Sequence, residues 1–144
     1  MIDRDLVTRK LVLIGEDLRA LARLAAKDRQ EYLASEVDEL VAERYLERLI
    51  GRMIDVNYHL LVETGHAPPR DYHQSFVELG VAGILPQDLA RRLAPSAGLR
   101  NRIVHEYEEI DPSRVYEALQ FALRDLPAYI EAVGAWLDAG VNSG

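Results

Sequence analysis

Apolar residues recur at helical spacing through most of the chain. From Asp3 to Ala26 they stand at Leu6, Leu11, Ile14, Leu18, Leu21 and Leu24, with Arg4, Arg9, Lys10, Asp17, Arg19 and Arg23 falling largely between them. Steps of three to five residues collect the apolar set on one face, so this segment reads as an amphipathic helix. Lys27 to Glu31 is a polar break. Ser35 with Asp38 three residues on resembles a capping-box start. Val37, Leu40, Val41, Tyr45, Leu49, Met53, Val56 and Leu60 then sustain helical spacing. At 3.6 residues per turn this is a helix of about seven turns. Gly65 and Pro68-Pro69 end it, because proline lacks an N–H and bars the residue before it from helix. A helix this long suits the spine of a bundle or a dimer surface.

Asp71 to Leu79 forms a short apolar-faced segment through Phe76, Val77 and Leu79, closed by Gly80. Pro86 stands where a first-turn proline would open a helix over Gln87 to Leu93. Pro95 interrupts it, and Ser96 to Tyr107 resumes helical spacing with Leu99, Ile103 and Val104. Asp111-Pro112 is an N-cap followed by a first-turn proline. The last helix carries Val115, Leu119, Ala122 and Leu126 to about Trp136, with Pro127 as a kink or restart. Gly140 to Gly144 is expected as a frayed tail. No alternating strand pattern, internal repeat or low-complexity tract is present. The expected fold is all-α: one domain over residues 1–144, a bundle of four to six helices.

A chain of 144 residues without cysteine has one domain's worth of core and no disulfide or thiolate chemistry. No run of about 18 apolar residues occurs, and the first residues carry charges, so neither a membrane span nor a signal peptide is expected and the expected compartment is the cytoplasm. The 17 basic and 24 acidic residues leave a net charge of −7. Such a chain has no broad electrostatic footprint for nucleic acid, and any such activity needs a local basic site.

No Gly-rich phosphate loop, nucleophile elbow or two-histidine zinc motif is present. His59, His66 and His73 are seven apart, but the proline pair breaks the column and ligand spacing of three or four is absent. Surface or interface histidines are the better reading, and no metal site is expected. Glu39, Glu43 and Glu47 beside Arg44, Arg48 and Arg52 read as a solvated, mutually compensating face. The stripe Arg52, Asp55 and His59 runs along the apolar Met53, Val56 and Leu60. Polar groups so placed need partners, at a subunit interface or in support of a site.

The stretch Gly98-Leu99-Arg100-Asn101-Arg102-Ile103-Val104-His105-Glu106-Tyr107 concentrates the chemistry. Arginine offers a planar fork matched to phosphate oxygens. Histidine titrates near neutral pH and can exchange a proton with a hydroxyl or a leaving oxygen. Asn101 lies one turn before His105 and could orient the ring or a phosphate. Residues five apart on a helix are separated by about 140° around its axis, so Arg100 and His105 cannot both face one phosphate from the middle of one helix. Either the helix ends near His105 or a second subunit completes the site. The plainer alternative is a helix C-terminus whose basic side chains serve its exposed carbonyls.

This stretch resembles the HEPN superfamily of all-α ribonucleases, and in particular its HepT-like toxin branch of type VII toxin–antitoxin systems. The resemblance rests on Arg100-Asn101-Arg102-Ile103-Val104-His105, an R-x4-H pattern, on Gly98-Leu99 before it and on Tyr107 two residues after the histidine. Glu108-Glu109-Ile110-Asp111 and the helix from Glu43 to Leu61, with Asp55 near its middle, look similar too. The resemblance implies a homodimer with the two motifs meeting, and metal-independent endoribonuclease action without a cofactor. In that scheme the RNA 2′-hydroxyl attacks the neighbouring phosphodiester of a tRNA or mRNA. His105 would be the acid–base, Arg100 the phosphate ligand and Asn101 a positioning residue. Arg102 would be an RNA contact, or a surface residue facing Glu106. The partner implied is an MntA-like minimal nucleotidyltransferase antitoxin that AMPylates Tyr107, whose plainer role would be packing on the bundle. The competing reading is a non-catalytic, substrate-binding companion of such a nucleotidyltransferase, which the net acidic charge suits.

Overall fold

Five of the seven helical segments among the described residues begin where a side chain takes up a free first-turn N–H. Asp3 precedes α1 (Arg4–Ala25) and accepts from the Leu6 N–H; Asp28 precedes α2 (Arg29–Leu33) and accepts from Glu31. Ser35 opens α3 (Glu36–Glu63), its hydroxyl accepting from the Asp38 N–H at 3.1 Å. Asp71 opens α4 (Tyr72–Val81) and bonds the Gln74 N–H at 2.8 Å. Asp111 bonds the Ser113 N–H at 2.9 Å ahead of α7 (Pro112–Ser143). The remaining two, α5 (Gln87–Leu93) and α6 (Ser96–His105), follow Pro86 and Pro95 and use no side-chain cap. Proline substitutes here for a cap, since its missing N–H is one the first turn leaves unbonded.

The computed structural model describes residues 1–106 and 108–143, with side chains to residue 140. Tyr107, the motif tyrosine, and Gly144, the end of the expected tail, lie outside the described residues. Within them the protein is all-α, as its periodicity predicts: six helices of seven residues or more, plus the single turn of α2.

Helix α1 runs antiparallel to both α3 and α7. Arg4 near its start bonds the Leu137 carbonyl late in α7, while Gln120 early in α7 bonds the Ala25 carbonyl at its end. The core between the three is apolar, with Ile14 and Leu21 of α1, Leu49, Met53 and Leu60 of α3, and Leu119, Tyr129 and Val133 of α7 all buried. One polar network crosses it. The Tyr129 hydroxyl donates to Asn57 Oδ1 at 2.6 Å, the Asn57 amide donates to Ser75 Oγ at 3.1 Å, and Ser75 donates to the Tyr72 carbonyl at 2.6 Å. Because buried polar groups must find partners, this chain ties α7 through α3 to the first turn of α4.

The structure departs from the sequence reading in four places. The polar break at Lys27 to Glu31 gives way to α2, whose amphipathic purpose is to drop Tyr32, fully buried, onto Tyr116 at 5.3 Å between ring centroids. The apolar start of α3 is not core: Val37, Leu40 and Val41 are 69%, 59% and 38% exposed, and α3 becomes the spine only from Ala42. Gly80 does not close α4. It lies inside the helix, where a Cβ would come within 2.8 Å of the Ala90 Cβ, so the glycine is there for close packing on α5; the chain reverses at Gly83, at φ +77°. Helix α7 passes through Pro127 to Ser143 without restarting. Pro127 is exposed, and the buried Tyr129, Val133 and Leu137 beyond it hold the continuation against the bundle.

Gly80→Ala is expected to destabilise the fold by about 1–3 kcal/mol, the usual range for overpacking, while Gly134→Ala on open space in α7 gains about 0.5–1 kcal/mol of helix propensity; urea midpoints read both. Tyr32→Phe removes a buried hydroxyl that has no hydrogen-bond partner among the described residues, and the same measurement is expected to show no loss of stability.

Candidate functional site

The seam between α1 and α3 is built on a charge. Asp17 sits in the apolar repeat of α1, between Ile14 and Leu18 in its face, and its side chain is only 4% exposed. Arg48 clamps it through Nε at 3.0 Å and Nη2 at 2.5 Å, and Arg52 adds Nη1 at 2.7 Å. Three charge-assisted bonds offset the desolvation of the carboxylate. The hydrogen bond to Asp17 holds the Arg48 proton more tightly than usual, outweighing the opposing effect of burial. Farther along the seam Lys10 Nζ meets Asp55 at 3.2 Å, and the Asp3 N–H donates to His59 Nε2 at 2.9 Å. Residues 3, 10 and 17 of α1 and its cap thus match 59, 55 and 52 of α3. The stripe Arg52, Asp55 and His59 finds its partners within the chain. The compensating-column reading is corrected as well: Arg44 pairs with Glu47 at 3.5 Å, but Arg48 and Arg52 turn to α1.

Above this seam lies a cleft of about 360 Å³ between α1, α3, α4 and α6. Lys10, Arg48, Arg52 and Arg100 bring positive charge to it, Glu47 and Asp55 negative, and Tyr72 forms a wall. Arg100 comes from α6 and stands over the Tyr72 ring, its guanidinium carbon 5.5 Å from the centroid. Its Nε is buried and has no hydrogen-bond partner among the described residues. A cation on an aromatic face is held without using up its N–H donors; the Nε of Arg100 is closed off, so a ligand in the cleft would meet its Nη groups.

His105 is the last residue of α6 and is exposed. It borders a separate hollow of about 300 Å³ with Glu106, Glu108 and Glu109. The helix does end at His105, as one of the two alternatives required, yet that end does not bring the ring round to Arg100. Asn101 and Arg102 are exposed; Arg102 and Glu106 line one groove with Arg114 against α7, with no ion pair between Arg102 and Glu106 among the described residues. The three spaced histidines do not converge: His59 is bonded to Asp3, His66 Nδ1 lies 3.1 Å from the Thr64 hydroxyl, and His73 is exposed in the first turn of α4. No group of three His, Cys, Asp or Glu able to hold a metal lies among the described residues. No helix among them is long and apolar enough to cross a membrane.

Asp17, Lys10 and Tyr72 escaped the sequence reading, which set Asp17 on the polar face. The signal for Asp17 was present: three residues after Ile14 and four before Leu21, it falls on the apolar stripe itself.

These features define a helical bundle whose sixth helix carries an arginine into a basic cleft and a histidine to its exposed end. The Ribonuclease HepT-like family model matches residues 14–133. A tRNA nuclease HepT of Aphanizomenon flos-aquae is 37% identical over 132 residues, covering 92% of this chain and 90% of that protein. An mRNA nuclease HepT of Shewanella oneidensis is 29% identical over 90 residues, 62% of this chain and 68% of that one. The fold matches that of the tri-AMPylated Shewanella oneidensis HEPN toxin in complex with MNT antitoxin, with a TM-score of 0.83 at 23% identity, over 92% of this chain and 98% of that chain. The chain belongs to the HepT-like ribonuclease family.

The clamp predicts non-additive energetics. Either arginine alone keeps Asp17 bonded, whereas loss of both leaves a buried unpaired carboxylate. Arg48→Ala combined with Arg52→Ala is therefore expected to cost more than the sum of the singles, and Asp17→Asn to cost about 1.5–3 kcal/mol, in denaturant titrations of the full set.

Proposed function

We propose that this chain is the toxin of a toxin–antitoxin pair, a cytoplasmic endoribonuclease that works as a homodimer and is silenced by an MntA-like nucleotidyltransferase antitoxin. The observation that carries the reading is α6, which brings the guanidinium of Arg100, held on the Tyr72 ring, to a cleft with three other cations and the exposed imidazole of His105 to its end. Membership of the HepT-like ribonuclease family supports it. The two relatives are named for different RNAs, tRNA and mRNA, so the substrate class is RNA in general.

In a homodimer whose two α6 helices meet, the groups that lie apart in one protomer reach a common phosphodiester. The ribose 2′-hydroxyl attacks phosphorus as His105 takes its proton. The bond to the 5′-oxygen then breaks, and that oxygen leaves with a proton from the imidazolium. The products are a 2′,3′-cyclic phosphate and a free 5′-hydroxyl. Arg100 binds the phosphate and stabilises the charge that builds on its oxygens. Asn101 positions the phosphate or the ring, and Arg102 is a further RNA contact. No metal or cofactor enters these steps. The Tyr107 phenol oxygen takes the α-phosphorus of ATP, pyrophosphate leaves and the phenol proton is lost; the AMP so placed two residues from His105 adds phosphate charge that opposes RNA binding electrostatically and sterically.

Cleavage of end-labelled total tRNA and a model mRNA in EDTA tests the reading. The parent chain is expected to leave cyclic-phosphate ends, and His105→Ala to lose at least about 100-fold in rate. Incubation with the antitoxin and ATP is expected to silence the parent and add AMP to its intact mass, while Tyr107→Phe stays active. An unmodified, dimeric and inactive parent overturns the nuclease reading and leaves the substrate-binding companion, which the acidic surround of His105 favours.

A further inference from the structure

We propose that the cleft between α1, α3 and α4 is a second phosphodiester subsite, which holds the phosphate next to the scissile one on the same RNA strand. This inference rests on the nuclease reading and deepens it. In a chain of net charge −7, four cations converge here: Lys10, Arg48, Arg52 and Arg100. Two of them share the buried Asp17 carboxylate, which fixes both guanidinium groups in place; with Glu47 and Asp55 also on the lining, four cations face three carboxylates and the excess is a single positive charge. Side chains already held lose little freedom when a ligand arrives, the usual advantage of preorganisation.

Arg100 connects this cleft to the proposed chemistry. It lines the cleft from α6, and its guanidinium lies over the Tyr72 ring rather than against a carboxylate. Tyr72 sets where the guanidinium lies, and the Ser75 hydroxyl bonded to the Tyr72 carbonyl at 2.6 Å, with Asn57 behind it at 3.1 Å, anchors the first turn from which the ring projects. With the scissile phosphate on Arg100, the strand continues over Tyr72 and its next phosphate lies between Arg52 and Lys10. Planar forks beside an ammonium suit phosphate oxygens. Lys10 engages Asp55 through one contact at 3.2 Å and keeps donors to spare.

The test is binding of a fluorescein-labelled single-stranded RNA octamer to the His105→Ala chain, which cannot consume it, across a salt series. Adding Lys10→Gln or Arg52→Ala is expected to weaken binding about tenfold and to lower the salt slope by about 0.7, the share of one phosphate contact on a single strand. Arg52→Lys is expected to restore part of the affinity, and Arg19→Gln, exposed on α1 outside the cleft, to change nothing. Unchanged affinity and slope in both cleft variants overturn the subsite. Displacement of the octamer by inorganic phosphate as effective as by unlabelled octamer identifies a general anion hole and overturns it too. Cleavage by the parent chain reads the nuclease proposal separately. If the parent cleaves and the cleft variants bind normally, only the subsite fails; if the parent neither cleaves nor binds, both fail.

Discussion

A carboxylate buried in an apolar seam dictates much of this structure. Asp17 cannot be left unpaired at 4% exposure, because an isolated charge in such surroundings costs far more than the fold's margin of stability. The cost is offset by drawing two arginines of α3 across to α1. The clamp, with Lys10 on Asp55 and Asp3 on His59 farther along, admits one register. A specificity role for buried ionic groups is best attested where they fix helix register, and this seam has that form.

The same interaction shapes the chemistry. Asp17 spends one negative charge below the cleft and orders two positive ones beside it, so a strongly acidic protein acquires a fixed basic pocket. Arg100 is held by a different device, the aromatic face of Tyr72. Tyr72 in turn depends on the buried Tyr129–Asn57–Ser75 chain, so the placement of one guanidinium reaches back through α4 and α3 to α7.

The helices were legible because their signals are local. Aspartate or serine caps, first-turn prolines and apolar steps of three and four act within a few residues, and the structure uses those read at Ser35, Pro86 and Asp111; the caps at Asp3, Asp28 and Asp71 were as local but were not read. What escaped depends on contacts between elements. Whether Val37 and Leu40 are core or surface is decided by how far α1 and α2 extend over α3, and Gly80 acquires its meaning only from Ala90 on the next helix. The site divides in the same way. The R-x4-H run is contiguous and could be read directly. The cleft gathers Lys10, Arg52, Tyr72 and Arg100 from four helices, and no spacing along the chain announces such a gathering.

The separation of Arg100 from His105 is the remaining constraint. A regular helix turns about 100° per residue, so the five-residue interval sends the two side chains to different hollows. Bringing them together within one protomer means unwinding the last turn of α6. That sacrifices the Glu106 N–H bond to the Arg102 carbonyl at 2.8 Å and pulls at Ile103, which is buried. A second copy needs neither loss. A two-fold pairing of two α6 helices would let each arginine meet the other copy's histidine with both helices intact, and an isologous pairing repeats any favourable contact twice. An R-x4-H motif on an unbroken helix is therefore poorly suited to act alone and well suited to a symmetric pair, and this geometry is the physical argument for the dimer.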